Sequence, residues 1–162
     1  MSQVPWWKGS RGEWYVVAQV FLFALVAFGP RTMTGLPPWR APYLAIGSLV
    51  GGVMMLAGVV LAGAAVIGLG SNLTALPYPK DGATMVQSGP YGIVRHPIYS
   101  GLILAALGWA LWTHAWFTIL YALVLFVFFD IKSRREERWL AEKFDGYEGY
   151  RRRVKKLIPW LY

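Results

Sequence analysis

The sequence predicts an all-α integral membrane protein with about four transmembrane helices and a cytoplasmic C-terminal helical extension. Three observations carry that prediction. Three long runs contain no Asp, Glu, Lys or Arg: Trp14 to Pro30, Ala41 to Pro79 and Pro97 to Phe129. Trp and Tyr gather near the ends of those runs, where membrane–water interfaces favour them. Lys and Arg are shared very unevenly between the segments that separate the runs. Hydrophobic residues make up 56% of the chain, above the roughly 45–50% usual in a globular domain. A water-soluble core able to bury three such runs would need a far larger protein, so residues 1–162 are expected to form one membrane domain.

The first segment, Met1 to Glu13, holds Pro5, Trp6, Trp7, Lys8 and Arg11 and lacks the pattern of a cleaved signal, so the apolar run after it is expected to be retained. Helix one is expected over about 14–28 and ends at Gly29-Pro30-Arg31, where glycine and proline cannot extend a helix cheaply. Pro37-Pro38-Trp39 then makes a short extended connection at the membrane surface. Helix two follows Pro42 and covers about 43–70, long enough to span with tilt. Gly47 and Gly51 form a GxxxG pair, and Gly58, Ala62 and Ala65 continue the small residues, so this helix is expected to pack centrally. Residues 71–96 form the first sizeable polar stretch, and a long ordered loop in a small membrane protein tends to be functional.

Pro97 to Phe129 holds 33 uncharged residues, too many for one ordinary span of about 20. A break near Trp112-Thr113-His114 gives helices over about 97–112 and 115–131. One long kinked helix is the alternative, and it would put the two polar ends on opposite sides of the membrane. Basic residues favour the hairpin. With four helices, fourteen of the sixteen Lys and Arg share a side with both termini, against Arg31 and Arg40 on the other. That bias orients both termini to the cytoplasm. Trp6, Trp7, Trp14, Trp39, Tyr43, Trp112, Trp116, Trp139 and Trp160 mark the interfaces. The tail, 132–162, begins as a charged continuation of helix four with Ile131, Trp139, Leu140 and Phe144 as a partial apolar face. Tyr147, Tyr150, Val154, Leu157 and Ile158 make a second amphipathic piece, expected to lie on the membrane surface.

The net charge of +8 has a simple source, because ten of the basic residues lie between Lys132 and Lys156. It reflects topology and contact with anionic lipid headgroups rather than a nucleic-acid partner. The absence of cysteine excludes disulfides, thiolate-ligated zinc and a cysteine nucleophile. No metal site is expected.

Polar chemistry concentrates in two places, the loop from Thr84 to Tyr99 and the helix from Asp130 to Glu142, which four helices bring to one side of the membrane. Arg95 and His96 stand where an apolar run begins, a position that is often functional. An arginine reaching for the interface and a histidine before a first-turn Pro97 would look the same. Glu136 and Glu137 are either part of a site or a solvated face paired with Lys132, Arg134 or Arg138. Lys132 and Glu136 have the spacing of an i,i+4 ion pair. His114 lies in an expected turn away from other polar groups and is read as structural.

The run Ser88-Gly89-Pro90-Tyr91-Gly92-Ile93-Val94-Arg95-His96-Pro97-Ile98-Tyr99-Ser100-Gly101 resembles the signature of the isoprenylcysteine carboxyl methyltransferase and phospholipid methyltransferase superfamily. A second signature follows in order: Glu136-Glu137-Arg138-Trp139-Leu140, then Phe144, Tyr147, Tyr150 and a basic stretch ending in Ile158-Pro159. The resemblance covers about residues 72–162 and implies a membrane enzyme that moves a methyl group from S-adenosylmethionine to a lipophilic acceptor. It implies a cofactor-lining segment at Thr84, Met85 and Val86, and cofactor contacts at Tyr91, His96, Pro97 and Tyr99. Glu136 matches the acidic residue that holds the cofactor, with Glu137 beside it. Lys132 stands where isoprenylcysteine methyltransferases carry a substrate-contacting Arg, and Lys cannot form the same bidentate fork. Phe144-Asp145-Gly146 also departs from the family's Phe-Gly order.

The residue chemistry is compatible with methyl transfer. A carboxylate such as Glu136 suits ribose hydroxyls or an amino group, and an imidazole or Arg donor suits a carboxylate. Tyr91 and Tyr99 offer ring faces to a sulfonium, a contact of about 1 kcal/mol. An amine acceptor would need a proton acceptor, for which His96 or Glu137 are candidates. Arg95, His96 and Glu137 are thus the candidate catalytic groups. No glycine-rich dinucleotide fingerprint occurs, so the soluble methyltransferase fold is not expected. Two alternatives stay open: a membrane reductase of the related sterol reductase group using NADPH, and a non-enzymatic assembly or lipid-binding module. The methyl acceptor and the oligomeric state are left open.

Overall fold

The computed structural model describes residues 12–32 and 35–162. Trp6, Trp7, Lys8 and Arg11 lie outside the described residues. Five α-helices account for most of the rest: α1 (Glu13–Phe28), α2 (Tyr43–Leu69), α3 (Pro97–Trp112), α4 (Trp116–Lys143) and α5 (Tyr147–Arg153). No strand occurs among the described residues. The helix boundaries follow the chain's punctuation. Gly29 closes α1 with its N–H donating to Leu25 O at 2.9 Å, and Gly70 closes α2. Pro97 opens α3 in the first turn, where its missing N–H costs nothing.

The four longer helices stand side by side in the order α1, α4, α3, α2. α2 and α4 are long and apolar enough to cross a membrane. α1 and α3 are shorter apolar helices of 16 residues each. Much of the apolar surface faces outward. On α2, Leu49 is 71% exposed and Ile67 82% exposed. A patch of that kind is untenable in water and matches a lipid surround.

The expected central position of α2 is not observed. It packs on α3 and lies at one flank of the row. Its small residues explain why: Gly47, Gly51, Gly58 and Ala65 are buried along a single stripe, and the rest of its circumference is Leu, Val and Ile facing out. Along that stripe the backbones nearly touch. A Cβ added to Gly58 would lie 2.5 Å from both Ala105 N and Gly101 O.

The hairpin reading of 97–129 holds, and one long helix is excluded. α3 and α4 are joined by a turn at residues 113–115, with the Ala115 N–H donating to Ala110 O at 3.2 Å. His114 takes the left-handed conformation at φ 52°. It is not remote from polar groups as expected: its ring contacts Leu44 O at 2.9 Å and Ser48 Oγ at 3.3 Å, tying the turn to α2. Trp39 packs beside it, 5.5 Å from the imidazole and 5.3 Å from Trp116 between ring centres. The core lies between α3 and α4, where Ile103, Ala106, Ala122, Leu125 and Phe129 are buried with Leu22, Phe23 and Val26 of α1 against them.

α4 runs unbroken from its apolar half into its charged half. Its expected single apolar face divides: Ile131 points outward, whereas Leu140 and Phe144 turn toward a cavity. The apolar residues of the tail divide between an inner and an outer side, with Ile158, Trp160 and Leu161 exposed. Tyr147, Tyr150 and Leu157 are buried, and residues 155–156 run back along the start of α3. The Arg95 and His96 N–H groups donate to Lys155 O (2.8 Å) and Lys156 O (3.1 Å). Those two N–H groups precede a helix whose first residue is proline, so they need outside acceptors, and the tail supplies them. Asp130 fastens the tail by accepting from Lys156 and from Tyr162 Oη (2.8 Å).

Candidate functional site

At the charged end of α4 lies a cavity of about 350 Å³. Its walls come from α1, the end of α2, the loop at 72–86, the start of α3, the charged half of α4, and α5. Sequence neighbours do not build it. The polar loop and the charged helix meet because the α3–α4 hairpin returns the chain to the same end.

The loop is set first. Gly89–Gly92 forms a single 3-10 turn with Pro90 in its first positions. The Tyr91 hydroxyl donates to Ala65 O of α2 at 3.4 Å, and the Tyr150 hydroxyl donates to Tyr91 O at 2.6 Å. Burial, then the Glu136 carboxylate, raises the Tyr91 hydroxyl well above the usual phenol range. Burial pushes Tyr150 up to about 12 and raises Tyr147 further. All three phenols keep their protons at neutral pH, and those of Tyr91 and Tyr150 act as donors.

The two candidate motifs then interlock. Arg95 Nε donates to Glu137 Oε1 at 2.8 Å, and its guanidinium also reaches Arg151 O at 3.1 Å and Val154 O. His96 Nε2 lies 3.1 Å from the same Glu137 oxygen, and Nδ1 lies 3.7 Å from Glu136 Oε2. The Tyr99 hydroxyl donates to Glu136 Oε2 at 2.8 Å. Glu137 is 7% exposed and His96 6%. The reading of the two glutamates as a solvated face is thereby overturned. Neighbouring helical residues point about 100° apart. So Glu136 lines the cavity while Glu137 turns away from it to hold Arg95 and His96.

Lys132 does not pair with Glu136 as the spacing suggested. Its ammonium donates to Gln19 Oε1 at 2.6 Å and Ala75 O at 3.2 Å, and sits 5.2 Å from the centre of the Tyr99 ring. It is only 2% exposed, lines the cavity, and has no carboxylate within ion-pair distance among the described residues. The Tyr99 ring also stacks on Phe129 (4.5 Å) and on His96 (5.4 Å). Protein groups thus already occupy the face that the sequence offered to a bound cation, whereas Tyr91 remains a wall residue.

Thr84, Met85, Val86, Tyr91, Arg95, His96, Tyr99, Lys132 and Glu136 all line the cavity. Pro97 and Glu137 do not: Pro97 is buried in the first turn of α3, where it fixes the direction of His96. Sequence reasoning missed Gln19, Asn72 and Tyr147 as wall residues. Gln19 had a usable signal, since an amide inside an apolar span needs a partner. Asn72 braces the loop, its side-chain oxygen accepting from the Thr84 N–H at 3.1 Å. The set offers a carboxylate, phenolic donors, the Arg95 guanidinium and the buried Lys132 ammonium in an apolar chamber, an arrangement able to hold a polar ligand beside an apolar one. No group of three potential metal ligands occurs among the described residues.

The family model described as phospholipid methyltransferase matches residues 46–146, which include the Arg95-His96 and Glu136-Glu137 motifs. The cobalt-zinc-cadmium resistance protein CzcN of Cupriavidus metallidurans is 29% identical over 93% of this chain and 63% of its own length. The protein-S-isoprenylcysteine O-methyltransferase of Schizosaccharomyces pombe is 38% identical over 56% of this chain and 39% of its own. Methanethiol S-methyltransferase 1 of Bradyrhizobium diazoefficiens is 41% identical over 43% of this chain and 24% of its own. The chain spans less than two thirds of the length of each of these relatives.

Proposed function

The chain belongs to the phospholipid methyltransferase family of membrane methyltransferases, and from that premise we propose that its cavity binds S-adenosylmethionine and carries methyl transfer to a lipophilic acceptor. One observation carries the reading. Two motifs about forty residues apart close on each other through Arg95–Glu137, His96–Glu137 and Tyr99–Glu136, in the wall of one cavity. The donor set suits the cofactor. Glu136 is an acceptor for its ribose hydroxyls or amino group, Tyr91 is a ring for its sulfonium, and Arg95 or His96 is a donor for its carboxylate. A volume of about 350 Å³ is within the usual range for a small-molecule site. The bound cofactor supplies an electrophilic methyl on a positive sulfur.

The chain's own residues position and shield. Thr84, Met85 and Val86 form the loop side of the cofactor pocket, held by Asn72. Pro97 acts from behind by aiming His96. Glu137 is a positioning residue, because it faces Arg95 and His96 and not the cavity. His96 is the group to take a proton if the acceptor must lose one. Leu102, Leu140 and Phe144 keep the chamber apolar, which excludes water from the transfer.

Lys132 points to the acceptor's chemistry. A buried ammonium with no carboxylate within ion-pair distance among the described residues favours an acceptor bearing a carboxylate or a thiolate over a cationic amine. Lys132→Met is therefore expected to lower kcat/KM for such an acceptor at least tenfold, about 1.4 kcal/mol, with S-adenosylhomocysteine affinity little changed. Transfer of labelled methyl to an S-prenylcysteine, a short thiol and a phosphatidylethanolamine checks this; unimpaired transfer by the variant would reject the role.

The topology proposed with this site has four spans, with both termini and the cavity on the cytoplasmic side. The α3–α4 hairpin and the clustering of basic residues at its open end support it. α1 and α3 are each roughly 24 Å long at about 1.5 Å per residue, so they would span a locally thinned bilayer. The testing experiment is calorimetric binding of S-adenosylhomocysteine to the detergent-purified protein, with NADPH as the control ligand. Micromolar binding that Glu136→Ala weakens at least tenfold is the expected result. NADPH binding without S-adenosylhomocysteine binding would replace the transferase with a reductase.

A further inference from the structure

Residues 157–162 close into a tight loop. The Leu157 and Ile158 N–H groups both donate to Tyr162 O at 2.7 Å, and the Tyr162 N–H donates back to Ile158 O at 3.0 Å. The loop is pinned to α4. The Tyr162 hydroxyl donates to Asp130 Oδ1 at 2.8 Å and accepts from Arg134 Nη2 at 3.3 Å, and the Lys156 ammonium sits 4.7 Å from the Tyr162 ring centre. So fastened, the loop presents apolar side chains outward: Trp160 is 89% exposed and Leu161 75%, with Ile158 beside them. Trp160 does so at φ 60°, in the left-handed region that a bulky residue rarely adopts.

The place of the loop says what covers it. Asp130 is the first charge after the uncharged run from Pro97 to Phe129, so the loop is fastened where α4 leaves its apolar segment. Ile131 is exposed next to it, and so is the Arg134 side chain. Arg152 and Lys155, just upstream, are exposed as well. Tryptophan and leucine facing outward beside cations, at that depth, match a bilayer surface with anionic headgroups. The stretch leading into the loop ties it to the cavity. Four consecutive carbonyls, from Val154 to Leu157, accept in turn from the Arg95 guanidinium, the Arg95 N–H (2.8 Å), the His96 N–H (3.1 Å) and the Ser100 hydroxyl (2.6 Å).

We propose that residues 158–161 are a membrane-surface anchor, which seats Trp160 and Leu161 among the headgroups of an anionic bilayer and thereby steadies Arg95 and His96 in the cavity wall. The anchor goes beyond the methyl-transfer reading and does not depend on which ligand the cavity takes.

The chain has no cysteine, so Leu161→Cys carries a fluorophore at one site only. In nanodiscs of phosphatidylcholine and phosphatidylglycerol, lipids bearing a headgroup nitroxide are expected to quench it. Absence of that quenching overturns the proposal, and aqueous iodide then tells whether water or a second protein surface meets the loop. Weaker quenching is expected in discs of phosphatidylcholine alone; equal quenching overturns the choice of an anionic surface. The steadying is read by amide hydrogen exchange in the mixed discs. Trp160→Ser combined with Leu161→Ser changes only exposed side chains. It is expected to exchange the Arg95 and His96 amides about tenfold faster than wild type, with the turn at 113–115 unchanged. Wild-type exchange at Arg95 and His96 overturns the link between anchor and site. So does faster exchange everywhere, the turn included, which would mark general loosening. Neither measurement uses a cofactor, so failure of the protein to bind S-adenosylhomocysteine is told apart from failure of the anchor.

Discussion

Glu137→Ala is expected to cost about 3–5 kcal/mol of stability, the range for removing one partner of a buried ion pair, and to abolish S-adenosylhomocysteine binding. The reason is the number of groups that share this carboxylate. Oε1 accepts from Arg95 Nε at 2.8 Å and lies 3.1 Å from His96 Nε2; Oε2 lies 3.8 Å from Arg151. Without it Arg95 keeps a buried charge with only carbonyl oxygens to face, and His96 loses the contact that orients its ring. The segment at 94–96 also carries the backbone bonds to the tail, so disorder there reaches the cavity wall. Glu137→Gln retains an acceptor oxygen but not the charge, and is expected to fall between the alanine variant and wild type. Thermal unfolding and ligand titration on the same detergent preparations measure both effects. Wild-type stability and affinity in Glu137→Ala would show that the Arg95–Glu137–His96 cluster is a bystander.

Gly101→Ala is expected to unfold the packing between α2 and α3, with a cost of about 1–3 kcal/mol or more from overpacking. Its added Cβ would lie 2.5 Å from Gly58 O and 2.7 Å from Ala62 N. Both are backbone atoms of α2, so no side chain can step aside and the helices must separate. Helices in lipid gain little from the hydrophobic effect on association, so close van der Waals packing carries much of their affinity. Separation would also loosen the contact from Tyr91 to Ala65 O, so cavity binding is expected to weaken with stability. Gly63→Ala is the control, because a Cβ there meets nothing within 4 Å. It replaces glycine within a helix and is expected to be neutral or slightly stabilising. Equal unfolding temperatures for the two variants would reject the close-packed stripe.

The balance between what was legible and what was not follows from the range over which each signal acts. Uncharged runs, Gly29-Pro30, Pro97 and the turn at Trp112-Thr113-His114 fixed the helices, because lipid demands length and apolarity of each segment separately. The GxxxG spacing announced a close contact but not its partner, and α2 proved to be a flank rather than a centre. The second signature assigned the cofactor to Glu136, with Glu137 beside it, by resemblance alone; the structure puts Glu136 in the cavity wall and turns Glu137 toward Arg95 and His96. Glu136 and Glu137 are adjacent, and only the rotation of α4 against α3 turns one toward the cavity and the other toward Arg95 and His96. Lys132 shows the same thing more sharply: its spacing pointed to Glu136, yet its partner is Gln19, 113 residues away. The sequence by itself determined that the chain is a row of apolar helices with its polar chemistry at one end, since those are local demands of the solvent. Which polar group meets which was decided by tertiary structure alone, because each buried donor or acceptor must be satisfied wherever packing leaves it, and nothing local encodes that place.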